Sequence, residues 1–311
     1  MDSPLYAKFD ISETAYKVVN NQEIKAYVLT PKNISSGKHP IVVKFHGGFF
    51  ITGASLFPDW YPPWALDYCL LHSAIIVTGD YRLLPESTGL DMREDVLDFW
   101  DWIRKDLQPF LNDRKPGVEA DLTKVIVHGE SAGGAISLLS GFWQPSGFIK
   151  AVISMYPYID LAPKREKPIL GIAPGPESVV QNHLKSIQPG KIVTAAFPPE
   201  RMDITIPLAQ SGDIAKYYGT DERLNAWKLL ERASDMPYTL ILHGEEDTAV
   251  PVEGSLRWEA AAKAKFGGEK VTLHVEPGKE HGFDCAVPLE TPWLKGYLAK
   301  VTELWLGRTE K

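Results

Sequence analysis

Residues 124–129 read KVIVHG, an apolar β-branched run that ends on Gly129-Glu130-Ser131-Ala132-Gly133-Gly134. The spacing that follows predicts a helix over 131–142. A serine between two glycines at a strand-to-helix junction constrains a chain more than any other feature here. A sharp turn at that point lifts the hydroxyl clear of a sheet, and only glycine tolerates the crowding on either side. The N–H groups just after the serine open a helix, where they are free to stabilise an oxyanion. A bare G-x-S-x-G is weak, and its bland alternative is a glycine-rich loop between strand and helix. Strand, turn and helix together make Ser131 a nucleophile candidate.

A second run, 41–46 (IVVKFH), ends on His46-Gly47-Gly48-Phe49-Phe50. Glycines after a strand let the backbone approach a substrate closely. The N–H groups of the Gly47–Gly48–Phe49 loop, those of Gly48 and Phe49 foremost, are expected to join that of Ala132 as oxyanion donors. His46 is expected to orient this loop rather than carry protons. On its own the loop also reads as an ordinary turn with glycine at positive φ.

Further strands are expected over 24–29, 74–80, 151–156, 238–243 and 271–276. Their continuous apolar runs predict buried, largely parallel strands. Helices are expected over 92–107, 255–266 and 292–306. The alternation implies an α/β fold, a doubly wound and mostly parallel sheet. Residues 161–224 break the alternation: they are crowded with proline, Pro163 and Pro168 among them, and lack a clear strand. A stretch this long between two strands reads as an inserted cap, and roughly the first 22 residues are weighed with it. For 311 residues, length alone suggests about two domains. The motif order suggests instead one catalytic domain over 1–311 with a cap.

Composition narrows the function classes. Hydrophobic residues are 44% and charged residues 23%, ordinary globular usage. The net charge of −7 argues against a nucleic-acid partner. Two cysteines, Cys69 and Cys285, are too few for a disulfide framework or a cysteine-rich zinc site. Neither a secretory signal nor an apolar run of membrane-spanning length is evident. A cytoplasmic protein without stable membrane insertion is the expectation, as monomer or homodimer. Nine tryptophans are many for this length and raise the question of core or pocket.

Asp80-Tyr81-Arg82-Leu83-Leu84-Pro85-Glu86 is the third motif. The histidine-glycine loop, this run and the Gly129–Gly134 elbow, in that order, resemble the hormone-sensitive-lipase-like branch of the α/β-hydrolase fold, which contains many carboxylesterases. The resemblance covers most of the chain outside the cap. It implies that Arg82 and Glu86 pair near the floor of the site; on physics alone they read as a solvent-exposed ion pair. It also implies a triad in the order serine, acid, histidine. Glu245, Glu246 and Asp247 compete for the acid, and Asp247 matches the family position. His281, in a Glu-His-Gly-Phe run after the last strand, matches the base. His243 and His274 lie inside strands and read as core or surface residues. His128 should point away from the serine, and His39, His72 and His183 have no motif around them.

One departure stands out. The family commonly carries a third glycine where this chain has Phe49. Its ring either points into the core or, with Phe50, narrows the pocket. Phe57, Trp60, Tyr61 and Trp64 follow in a proline-broken loop, where they either pack on the core or line the substrate entrance. Phe50, Trp60, Trp64 and Glu130 are therefore substrate-binding candidates. Trp100, Trp102, Trp293 and Trp305 fall on helices and read as packing.

The expected function is a serine hydrolase acting on carboxylic esters or lactones of small to medium apolar groups, through an acyl-enzyme and with no metal or organic cofactor. The alternatives are a same-triad acyltransferase, thioesterase or cyclase, and a ligand receptor on this scaffold, a type that usually has a broken triad.

Overall fold

The computed structural model describes residues 3–308 apart from 162, 163 and 166, so Met1 and Asp2 and, within the expected cap, Ala162, Pro163 and Glu166 lie outside the described residues. Eight strands form one sheet: β1 (Phe9–Val19), β2 (Gln22–Pro31), β3 (Gly37–Phe45), β4 (Ile75–Gly79), β5 (Val118–Glu130), β6 (Ile149–Met155), β7 (Tyr238–Gly244) and β8 (Val271–Glu276). Their order is β1-β2-β4-β3-β5-β6-β7-β8. The β1–β2 and β2–β4 pairs are antiparallel and the other pairs are parallel. All seven expected strands are present. Residues Phe9–Val19, weighed with the cap from sequence, form the edge strand β1 instead.

The helices are α1 (Pro63–Leu71), α2 (Gly89–Lys105), α3 (Leu107–Arg114), α4 (Ala132–Trp143), α5 (Glu177–Ser186), α6 (Met202–Ser211), α7 (Ile214–Tyr218), α8 (Ala226–Arg232), α9 (Glu253–Phe266) and α10 (Pro292–Leu306). One buried cluster packs α2, α3, α4, α8 and α9 on one face of the sheet, through Trp100, Leu107, Ile136, Leu230 and Trp258. A second packs α1 and α10 on the other, through Trp64, Leu66, Leu298 and Trp305. Strand order reverses around β3 and β5. The crevice at the carboxyl ends of the strands there is where an open α/β sheet binds its ligand.

Helix α1 was hidden by its prolines. Pro63 sits in its first turn, where the missing N–H costs nothing, so it starts the helix instead of breaking it. Trp64 is consequently 1% exposed. It is a core residue of the second cluster, not a pocket wall.

The expected Arg82–Glu86 pair does not form. Arg82 makes a two-pronged contact with Asp95 of α2, with Nε 2.8 Å from Oδ2 and Nη2 2.7 Å from Oδ1. It also reaches Asp91 and Glu94. Lys17 of β1 approaches Asp95 at 2.9 Å. Glu86 pairs with Arg201 at 2.7 Å and His183 at 2.8 Å. Asp95 is fully buried. Asp95→Ala should therefore lower unfolding free energy by about 3 kcal/mol, because it removes the buried carboxylate of the network and leaves Arg82 only the more exposed Asp91 and Glu94. Denaturant titration reads this directly, and a loss under about 1 kcal/mol would contradict the network.

Residues 161–224 contain α5, α6 and α7 and no strand among the described residues. They bond to loops at the carboxyl ends of the strands. Arg201 reaches the carbonyls of Ile51 and Leu84, the Leu83 N–H donates to the Val193 carbonyl, and Arg165 reaches the carbonyls of Thr248 and Ala249. The β1–β2 turn also touches this segment, through Asn20 and Gln22 to the Gly190 carbonyl.

Candidate active site

Ser131 stands between β5 and α4 with φ 56° and ψ −117°, a strained conformation for a residue with a side chain. The strand and helix it joins are pressed together. A Cβ on Gly129 would fall 2.3 Å from the Gly133 carbonyl oxygen, and one on Gly133 would fall 2.1 Å from that of Phe45. Ser131 is held from below: its N–H donates to the Met155 carbonyl at 2.9 Å, and its carbonyl accepts from Tyr158 N–H at 3.0 Å.

Asp247 follows β7 and His281 follows β8, two adjacent strands, and the structure brings them together. His281 Nδ1 lies 2.7 Å from Asp247 Oδ2. Asp247 Oδ1 accepts from Val250 N–H at 2.6 Å. Burial pushes the Asp247 carboxyl up. The charge of His281 and hydrogen bonds from His243 and His281 outweigh that and hold it well below the usual carboxylate range. Glu245 and Glu246 are exposed, so neither competes as the acid. The His281 ring packs on Tyr156 at 4.3 Å, one residue past the carbonyl that holds Ser131. No hydrogen bond joins Ser131 Oγ to His281 among the described residues.

Sequence reasoning missed two supports. His243, read as a strand residue, is fully buried with Nε2 3.3 Å from Asp247 Oδ2. The same nitrogen lies 2.7 Å from the Val250 carbonyl, which requires it to carry the proton. Glu280 accepts from His281 N–H at 2.8 Å and from Thr248 N–H and Oγ1 at 2.6 and 2.7 Å, tying the loop after β7 to the loop after β8. Only the adjacency of Glu280 to His281 signals this in sequence.

In the loop after β3, the N–H groups of Gly48 and Phe49 have no acceptor among the described residues, and Ala132 opens α4 without a side-chain cap. Gly47 differs. Its N–H points to Glu130 Oε1 at 3.3 Å, so Gly47 spaces the loop rather than donating to an oxyanion. His46 is buried, accepts no charge readily, and is pushed down to about 3 by that burial. Its ring stacks on Tyr81 at 4.4 Å, and Tyr81 OH donates to the His46 carbonyl at 2.7 Å. Asp80 Oδ1 accepts from Ser55 N–H at 2.9 Å. The Asp80–Tyr81 pair thus braces the glycine loop, a role its sequence position did not disclose.

Besides Trp64, two more of the substrate-binding candidates turn inward. Glu130 is 4% exposed and paired with Lys44 at 2.8 Å. Phe50 is 1% exposed and packs between Tyr158 at 6.1 Å and Tyr218 at 4.9 Å. Phe49 takes the core alternative, its ring edge-on to Tyr158 at 5.1 Å. Trp60 is half-buried and its ring meets Phe57 edge-on, which in turn meets Phe197.

A cavity of about 580 Å³ lies along α4 and the loop after β7, and Ser131, Asp247, His281, Gly48 and Phe49 are not among its lining residues. Ala135, Tyr158, Val250, Leu139, Tyr218 and Trp227 are among its walls. Ala135 lies one helical turn past Ser131, Tyr158 bonds the Ser131 carbonyl, and Val250 bonds Asp247. Among the described residues no group of three or more His, Cys, Asp or Glu is arranged to hold a metal ion, and no helix is long and apolar enough to cross a membrane.

A glycine-flanked serine at an elbow, a histidine–carboxylate pair and a glycine loop at the switch point of such a sheet define an α/β hydrolase. The chain belongs to that family: its profile, described as the alpha/beta hydrolase fold, matches residues 42–285, and the chain falls in the hormone-sensitive-lipase-like branch. It is 29% identical over 304 residues to a probable carboxylesterase, M8, of Phoma sp., covering 93% of this chain and 94% of that one. It is 23% identical over 333 residues to the non-reducing polyketide synthase stbA of Stachybotrys bisbyi, covering 95% of this chain and 14% of that one. Among solved structures, an esterase of Pyrobaculum calidifontis superposes with TM-score 0.62 at 20% identity, covering 95% of this chain and 86% of that one. The chain is thus a carboxylesterase-like α/β hydrolase.

Proposed function

We propose that this protein is a serine esterase that cleaves carboxylic esters or lactones of small to medium apolar groups through an acyl-enzyme. The observation that carries this reading is the 2.7 Å contact between His281 Nδ1 and Asp247 Oδ2, with the His281 ring on Tyr156, next to the Met155 carbonyl that holds the strained Ser131. His281 takes the Ser131 proton as Oγ attacks the carbonyl carbon, and Asp247 fixes the tautomer that allows it. The N–H groups of Gly48, Phe49 and Ala132 receive the oxyanion. His281 then protonates the leaving alcohol, and water releases the acid by the same steps in reverse.

Residues 161–224 act as the cap, closing the cavity against the strand ends. The cavity, at about 580 Å³, is of ligand size, and its walls combine Leu139, Val250 and aromatic rings with Asp160, Asp221, Glu253 and Arg257. The Phe49 and Phe50 rings back its Tyr158 wall, so the wall is stiff. A panel of p-nitrophenyl esters of rising acyl length tests this. kcat/KM should rise through short and medium chains and fall once the cavity is filled. Absence of turnover on every member would refute the esterase reading.

One relative favours a second reading, acyl transfer or release in a biosynthetic sequence. The match to a polyketide synthase spans 95% of this chain. Product analysis with an added alcohol or thiol acceptor separates the two: transfer products exceeding free acid would favour the second.

A further inference from the structure

We propose that Glu130 and Lys44 are positioning residues. Glu130 ties the loop that carries Gly48 and Phe49 to the elbow that carries Ser131, and Lys44 holds Glu130 in the pose that does so. This rests on the serine-hydrolase reading above.

Glu130 precedes Ser131, which makes it look like a substrate contact. Strand alternation puts it elsewhere. Side chains at every second residue share a face, and Glu130 falls on the same face as His128, whose ring meets Trp64 of the second core cluster at 5.4 Å. Lys44 lies opposite His128 on the neighbouring strand and reaches forward to Glu130. The pair is sealed: the side chains are 2% and 5% exposed. Lys44 Nζ also sits 4.5 Å over the Tyr61 ring.

Stability alone does not call for this pair. Taking two charges out of water costs so much that apolar side chains of similar volume usually do as well or better. What apolar side chains cannot do is accept a hydrogen bond. Glu130 Oε1 takes one from Lys44 at 2.8 Å and a second from Gly47 N–H at 3.3 Å. Gly47 is one residue before the donor Gly48, and a Cβ built on it would lie 3.1 Å from Ser131 Cβ. The loop therefore rests against the nucleophile. On its other side the loop is fixed by Tyr81 OH on the His46 carbonyl. Glu130 supplies the second tether, and two tethers fix where both loop donors point. Losing one oxyanion donor costs about 100-fold or more in kcat, and a misplacement of about 1 Å costs a similar factor.

Two double variants test the tether without leaving a lone buried charge. Lys44→Met with Glu130→Leu removes both charges and the acceptor. Lys44→Met with Glu130→Gln removes the charges and keeps a carbonyl oxygen for Gly47. The first should lower kcat about tenfold or more with KM within about twofold and Tm not reduced. The second should restore kcat to within about threefold of wild type. The rate at which a fluorophosphonate labels Ser131 should follow the same order, since that reaction needs the same donors and no ester substrate.

Equal kcat in the two doubles would overturn the proposal. So would an effect confined to KM, which would return Glu130 to substrate contact, or a kcat loss that tracks a fall in Tm. If the wild type labels at Ser131 but turns over no ester, the esterase reading falls and the labelling rates still decide the tether. If it neither labels nor turns over, both fall together.

Discussion

Ser131→Ala is expected to lower ester turnover by about six orders of magnitude, with fold and melting temperature retained. Loss of the nucleophile removes the covalent route, and what remains is the weak catalysis of donors and binding alone. The fold should survive because Ser131 Oγ has no hydrogen-bond partner among the described residues. The elbow is held by its backbone, through the Met155 carbonyl and the Tyr158 N–H. Alanine meets the same strain at φ 56° as serine does. Steady-state rates, paired with circular dichroism, check both halves. Residual turnover within tenfold of wild type would remove Ser131 from the mechanism.

Asp247→Asn should lower kcat by about 10⁴-fold. The carboxylate accepts from His281 Nδ1 and so leaves Nε2 to act as the base. An amide can turn its NH2 toward Nδ1 and hold the opposite tautomer. The pH dependence carries a sign. Asp247 is held well below its ordinary range, burial being outweighed by His281 and His243. Its charge therefore contributes stability that is complete above about pH 4, the ordinary aspartate value, and is lost only as pH falls through the depressed value. Between pH 5 and 9 Asp247 stays charged, so the asparagine variant should remain slower than wild type across that range. Variant rates within tenfold of wild type between pH 7 and 8 would contradict the assignment.

The parallel core of this fold was legible because β4, β6, β7 and the carboxyl-terminal halves of β3 and β5 are largely buried on both faces and carry apolar runs. Strand β1 was not. Its residues are mostly half-exposed at a sheet edge, and FDISETAYKVV alternates too weakly to separate from loop. Motif residues were placed well where the chain itself turns, as at Ser131 and His281. They were misplaced where the partner comes from another element. Arg82 was matched with Glu86 four residues away, yet its partners stand on α2. Glu130 was aimed at the substrate because it neighbours Ser131, although adjacent strand residues face opposite sides. His243 passed as a core residue, which it is, while its contact with Asp247 depends on the curl of the loop after β7.

The strand order also has a temporal meaning. From β5 onward each new strand is laid beside the one before it at the same edge of the sheet. During synthesis from the N-terminus the sheet can therefore grow in a single direction without reopening. The serine elbow is complete once β6 docks, while His281 arrives only after β8. On the proposed mechanism, three strands stand between the emergence of Ser131 and the arrival of His281, so the growing chain carries a silent serine until the sheet is finished.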